Sequence, residues 1–121
     1  MRALFAALAE RDLATLQLLL APAAVFHVPG RHLAAGDYRG FEGVVALWDT
    51  FTRLSAGSFT LELKGVLTGD PCAAAVGVCA AGRAGRRLEQ PVVWLLRLGG
   101  GRVLEGWLYT FDRPTADAFW S

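Results

Sequence analysis

The chain has 121 residues, 54% of them hydrophobic and 19% charged, with a net charge of +1 from 12 basic and 11 acidic side chains. That length makes one domain, 1–121, able to bury about two thirds of its unfolded surface, and the composition excludes a disordered chain. The near-neutral balance leaves no electrostatic footprint for nucleic acid or for an anionic membrane surface.

Residues 2–10 read as a short helix with Leu4, Phe5 and Leu8 on one face. Leu4 to Leu8 after Arg2 has the look of a signal-peptide core, but Glu10-Arg11-Asp12 interrupts it and no apolar run reaches about 18 residues. A cytoplasmic protein is expected. Asp12 can cap a second helix from Leu13 to about Leu20, with Leu13, Leu16, Leu19 and Leu20 inward and Pro22 as its stop. A short strand over 23–28 then delivers His27 to the Pro29-Gly30 turn, and a polar loop over 31–37 leads to Tyr38. Phe41, Val44, Val45, Leu47, Trp48 and Phe51 follow at helical spacing, and Ser55-Ala56-Gly57 ends that helix.

From Ser58 the period changes to two, with Phe59, Leu61 and Leu63 alternating against Thr60, Glu62 and Lys64. Gly69-Asp70-Pro71 is a turn. Residues 72–81 form a strand of small side chains, which suggests a central strand closely approached by a helix or a pocket. Cys72 and Cys79 lie in this strand about 20 Å apart on opposite faces, too far for a disulfide, and read as buried thiols in a reducing compartment. Gly82 to Arg86 is a basic hairpin tip, and Arg83, Arg86 and Arg87 read as a solvated turn. Leu88 to Leu98 and Val103 to Phe111 are two long strands joined at Gly99-Gly100-Gly101, and Pro114 opens a last short helix. Helices followed by a meander make an α+β domain, with a strongly curved, mostly antiparallel sheet wrapped on the long helix.

The run Phe26-His27-Val28-Pro29-Gly30, then Ala35-Gly36-Asp37-Tyr38-Arg39-Gly40 and the helix at Phe41, resembles the SnoaL-like members of the nuclear transport factor two-like superfamily. So do Arg97-Leu98 before the glycine turn, Gly101 to Glu105 after it, and the Phe111-Asp112 end. The resemblance spans essentially the whole chain, whose first helix begins almost at Met1, so its start is expected to be slightly short. It implies a cone-shaped α+β barrel around a deep, mostly apolar pocket, and a homodimer formed through the outer face of the sheet. Relatives include polyketide cyclases, ketosteroid isomerases, epoxide hydrolases and dehydratases, so the fold alone does not fix the reaction.

His27 is the first candidate for proton transfer, if it points into the cone; the alternative is a histidine that hydrogen-bonds the loop backbone. Tyr38 can donate to a substrate carbonyl as an oxyanion stabiliser, or can simply cover the helix start. Asp112 stands near the strand end where the cyclases carry a base, or caps the helix after it. Two positions depart from the family pattern: Gly106 stands where a histidine is frequent, and Leu108 where an acid is frequent. Trp94, Trp107 and Tyr109, with Trp48 and Phe26, are expected to wall a pocket for a flat apolar ligand, with Glu105 or Gln90 as sparse polar groups. The other reading of the last strand's aromatic face is core or dimer interface. His32 reads as a loop histidine, and no metal-ligand spacing accompanies it. No GxSxG, GxGxxG, Walker or CxxC motif occurs. The expected function is a cofactor-independent isomerase, cyclase or hydratase acting on an apolar cyclic metabolite. The alternatives are a non-catalytic binding protein for such a molecule, or a dimerisation module.

Overall fold

The computed structural model describes residues 2–121. Two short helices, α1 (Arg2–Glu10) and α2 (Leu13–Leu19), lead into β1 (Leu20–Val28), β2 (Gly36–Arg39) and the long helix α3 (Gly40–Leu54). Then come β3 (Thr60–Thr68), β4 (Cys72–Arg83), β5 (Arg86–Gly99), β6 (Arg102–Thr110) and the short helix α4 (Arg113–Phe119). The six strands form one curved sheet in the order β2-β1-β6-β5-β4-β3. Every pairing is antiparallel except β1 with β6, which is parallel and joins the β1–β2 pair to the β3–β6 meander. This is the expected α+β architecture.

Helix α3 forms because Val44, Leu47, Trp48 and Phe51 recur on one face, and that face is buried against the sheet. Trp48 meets Trp94 of β5 at 6.1 Å between ring centroids. Phe5 of α1 reaches the other side of Trp48 at 6.3 Å. The inner row of β4 is Ala73, Ala75, Gly77, Cys79 and Ala81, which leaves room for these large rings. Gly77 is required by close approach: a Cβ there would stand 2.6 Å from the Glu62 carbonyl oxygen of β3.

Three expectations are corrected. The second helix stops at Leu19, and Pro22 lies inside β1. A proline is tolerated there because the β1–β6 register shifts between Leu20 and Val25, so its missing N–H interrupts no regular ladder. Leu13, expected inward, is exposed, and Leu16 carries the burial of α2. Cys72 is exposed, and only Cys79 is buried, because the two point to opposite faces of β4. Arg83 is also more than a solvated turn residue: its guanidinium donates to the Leu54 carbonyl at 2.9 Å and to the Ser121 main-chain oxygen at 2.8 Å.

Candidate functional site

The alternation along β1, β5 and β6 sorts the candidate residues onto two faces. Strand pairing puts Phe26, Trp94, Leu96, Gly106 and Leu108 on the inner face. It puts His27, Leu95, Glu105, Trp107 and Tyr109 on the outer face. The expected wall of Trp94, Trp107 and Tyr109 therefore does not exist as one surface. Trp94 is core, while Tyr109 is 56% exposed on the far side of the sheet. The correct parity depends on how β6 registers against β5, which the alternation within β6 alone does not specify.

On the inner face, Trp48, Phe51, Phe59, Leu61, Trp94 and Trp120 enclose most of a cavity of about 30 Å³. Its polar lining is Gln90, Thr110 and Cys79. The rings interlock: Phe51 stacks on Phe59 at 4.8 Å, and Trp120 lies 4.9 Å from Phe51. Gln90 is 6% exposed. Its Oε1 accepts from the Asp112 backbone N–H at 2.7 Å. Its Nε2 and the Thr110 hydroxyl are buried and have no hydrogen-bond partner among the described residues. Burial pushes the Cys79 thiol up to about 12, so it stays protonated and inert. Among the described residues no carboxylate or imidazole lines this cavity. A second space of about 340 Å³ lies outside it between α1, α3 and β3, separated from it by Trp48, Phe59 and Leu61, which line both.

Phe26 does not line the cavity. Its ring packs on Trp94 at 5.4 Å and over Gly106, where an added Cβ would lie 3.4 Å from the ring and 3.0 Å from Leu96. The space beside Gly106, where the family resemblance leads to the expectation of a histidine, is thus filled by a neighbour's ring.

On the outer face, His27 is held between two carboxylates. Asp37 Oδ1 lies 2.7 Å from its Nδ1 and Glu105 Oε2 lies 2.6 Å from its Nε2. Glu105 Oε1 in turn accepts from Arg97 Nη2 at 3.2 Å. Only an imidazolium, with an N–H on each nitrogen, donates to both neighbours at once. The Asp37 bond raises the His27 pKa above its ordinary value; Glu105 adds to this, and partial burial opposes it. His27 in turn, with Arg97, holds the Glu105 carboxyl below the usual carboxylate range. Trp107 stacks on the imidazolium with centroids 5.6 Å apart. His27 thus faces away from the cone, contrary to the inward placement considered above. Beside it lies a groove of about 340 Å³ lined by residues that include His27, Asp37, Trp107, Tyr109 and Arg113.

Tyr38 covers the start of α3, where its backbone blocks any side chain at Gly43, and its hydroxyl donates to the Ala34 carbonyl at 2.9 Å. Burial raises its pKa. Asp112 caps α4: its Oδ1 accepts from the Thr115 N–H at 3.1 Å and its Oδ2 from the Thr115 hydroxyl at 2.7 Å. Those bonds lower its pKa. His32 is half-buried, and its Nδ1 accepts from the Ala34 N–H at 3.0 Å; burial lowers its pKa. The structure does not bring His27, Tyr38 and Asp112 together. It brings Gln90 together with Thr110, a residue that the last strand's alternation had placed opposite the aromatic row and so outside the expected pocket. Among the described residues no group of three or more His, Cys, Asp or Glu side chains is arranged to hold a metal ion. No described helix is long and apolar enough to cross a membrane.

Comparison with known proteins agrees with this architecture. Residues 1–106 match the SnoaL-like domain. An uncharacterised protein of Mycobacterium tuberculosis is 36% identical over 121 residues, covering 99% of this chain and 92% of the relative. Bal32a, from a soil-derived mobile gene cassette, superposes with a TM-score of 0.92 at 30% identity, covering 99% of this chain and 92% of that one. IdmH from Streptomyces antibioticus, described as "a putative polyketide cyclase", is similar in fold, with a TM-score of 0.73 at 24% identity over 97% of this chain and 94% of its own.

Proposed function

We propose that this chain, which belongs to the SnoaL-like family, binds a small apolar molecule in its cone and holds it by one polar atom against Gln90 and Thr110. The observation that carries this reading is the pair of buried, unpartnered polar atoms, Gln90 Nε2 and Thr110 Oγ1, in a cavity otherwise walled by rings and aliphatic groups. A buried donor without a partner costs about 1–3 kcal/mol. A carbonyl or ether oxygen on a flat apolar ligand would relieve that cost, and the surrounding rings would stack on its body. The cavity carries no group able to exchange a proton near neutral pH. This favours binding over isomerisation, cyclisation or hydration by a cavity residue.

The test is calorimetric titration with 1-indanone, a flat bicyclic ketone with one acceptor. The native chain is expected to bind it, and Thr110→Val to bind it about tenfold more weakly, the equivalent of one lost hydrogen bond. Unchanged affinity in Thr110→Val would sink the reading.

A second reading is favoured by the outward groove beside His27. There, a cofactor-independent isomerase, cyclase or hydratase would use His27 as the proton carrier, after one of its two carboxylate partners lets go. Tyr38 and Asp112 would take part only by leaving the bonds they now make. Turnover of a cyclic ketone that is lost in His27→Ala would support it.

The partner proposed for the outer face is a second copy of the chain. The half-buried outer row of Val76, Val78, Val93 and Leu95 continues into Trp107 and the exposed Tyr109, and such a face suits a self-complementary pairing of sheets.

A further inference from the structure

The pocket reading leaves a problem of size. A cavity of about 30 Å³ holds roughly one water molecule, not a ring. What fills the remaining space is Trp120. Its side chain is 3% exposed and packs on Phe51 at 4.9 Å, on Phe59 at 6.3 Å and on Phe119 at 4.8 Å. An indole buries roughly 150–250 Å² of surface, as much as the ring system of a small aromatic ligand.

Trp120 reaches the cavity from the end of α4, the shortest of the helices and strands that line it. It has seven residues, of which Ala116 and Phe119 are buried. Its ties to the rest of the molecule are few and mostly at its ends. The Leu33 N–H donates to the Trp120 carbonyl at 3.2 Å, and the Arg31 N–H donates to Asp117 Oδ1 at 3.0 Å. Arg83 holds the Ser121 main-chain oxygen. At the other end, the Asp112 N–H donates to Gln90 Oε1. Trp48 and Phe51, by contrast, stand on a helix of 15 residues with four buried side chains. When something must give way, α4, with fewer residues and fewer buried side chains than α3, gives way first.

We infer that Trp120 is a built-in plug: it occupies the place of a ligand ring, and the ligand enters by swinging α4 about Asp112 and lifting the indole out. This rests on the pocket reading above and adds its gate. The hinge is tied to the pocket by a single side chain. The Gln90 amide holds the start of α4 through its oxygen and offers its nitrogen to the cavity. A ligand that takes the nitrogen therefore bonds the same amide that anchors the hinge. Trp120 also sets the size of molecule accepted, so a smaller residue there widens the range.

The experiment is titration of 1-indanone into the native chain, Trp120→Phe, Trp120→Ala, Thr110→Val and the Trp120→Ala/Thr110→Val double variant. Removing the plug is expected to tighten binding about tenfold or more, with Trp120→Phe between the two. Thr110→Val is expected to weaken binding in both backgrounds. A folded Trp120→Ala that binds no tighter than the native chain overturns the plug, while a retained effect of Thr110→Val leaves the pocket standing. Loss of the Thr110→Val effect in both backgrounds overturns the pocket as well. Should Trp120→Ala fail to fold, amide hydrogen exchange on the native chain decides. Added 1-indanone is expected to speed exchange at the Ala116 and Trp120 amides and leave β4 and β5 unchanged. Unaltered exchange in α4 overturns the plug.

Discussion

At the scale of single residues, the proposed pocket sets stability and binding in opposition at Thr110. Its buried hydroxyl makes no bond among the described residues, so exchanging it for a methyl group removes a desolvation cost without breaking a contact. Thr110→Val is expected to raise the unfolding free energy by about 1 kcal/mol, read from urea denaturation, in the same protein that loses affinity for 1-indanone. A destabilised variant would mean that the hydroxyl is satisfied after all. The two thiols offer a simpler check. Cys72 is exposed and Cys79 is buried and held protonated. Iodoacetamide is therefore expected to label one thiol per folded chain, and two only on unfolding. The sequence marked both cysteines as free and as facing opposite ways. It could not mark which way was in, because small residues flank both.

At the scale of elements, His27 binds three strands together. It stands on β1, Asp37 on β2 and Glu105 on β6, with Arg97 of β5 extending the row. Charges alternate along it, so the row is neutral when the imidazole is protonated. A histidine whose folded pKa is raised adds stability that is fully present below its unfolded value of about 6.5 and is lost as pH rises through the folded value. The melting temperature of the native chain is therefore expected to fall as pH climbs above about 6.5, and that fall to vanish in His27→Gln. A native chain that gains stability over that range would refute the assignment. The helices, the meander and the turns were legible because their periods and breakers are local. His27 was legible as the notable residue of β1. Its direction was not, because a strand shows which residues share a face and leaves open which face is inside. The same ambiguity turned Trp107 and Tyr109 outward while Trp94 went in.

At the scale of the whole molecule, the sheet separates two chemistries. The inner face is neutral and aromatic, and the outer face carries the ionised row beside an apolar patch that extends to Tyr109 and the 81% exposed Phe111. If two copies pair through that patch, a charge placed at its centre must separate them. Val93→Glu is expected to convert a dimer into a folded monomer in analytical ultracentrifugation. A native chain that sediments as a monomer at about 100 μM, where even weak self-association near micromolar strength would show, removes the proposal. The cone was legible from the order of its elements and from short matched runs spread along the chain. Of the cavity's two unpartnered polar groups, Gln90 was legible from the alternation of β5, and Thr110 was not, since its side depends on how β6 registers against β5.

The irregular stretch of β1 between Leu20 and Val25 has a consequence for descent. Pairing with β6 lapses there, so the gain or loss of one residue among Ala21, Pro22, Ala23 and Ala24 can be absorbed without unzipping the sheet. Beyond that point every side chain would change sides: Val25 and His27 would turn into the cone, and Phe26 would leave the space it fills above Gly106. A lineage with this architecture thus stands one codon insertion or deletion away from carrying an imidazole on the inner face, close to Gly106 and Trp94. The two faces of β1 can be exchanged without altering a single side chain of the rest of the sheet.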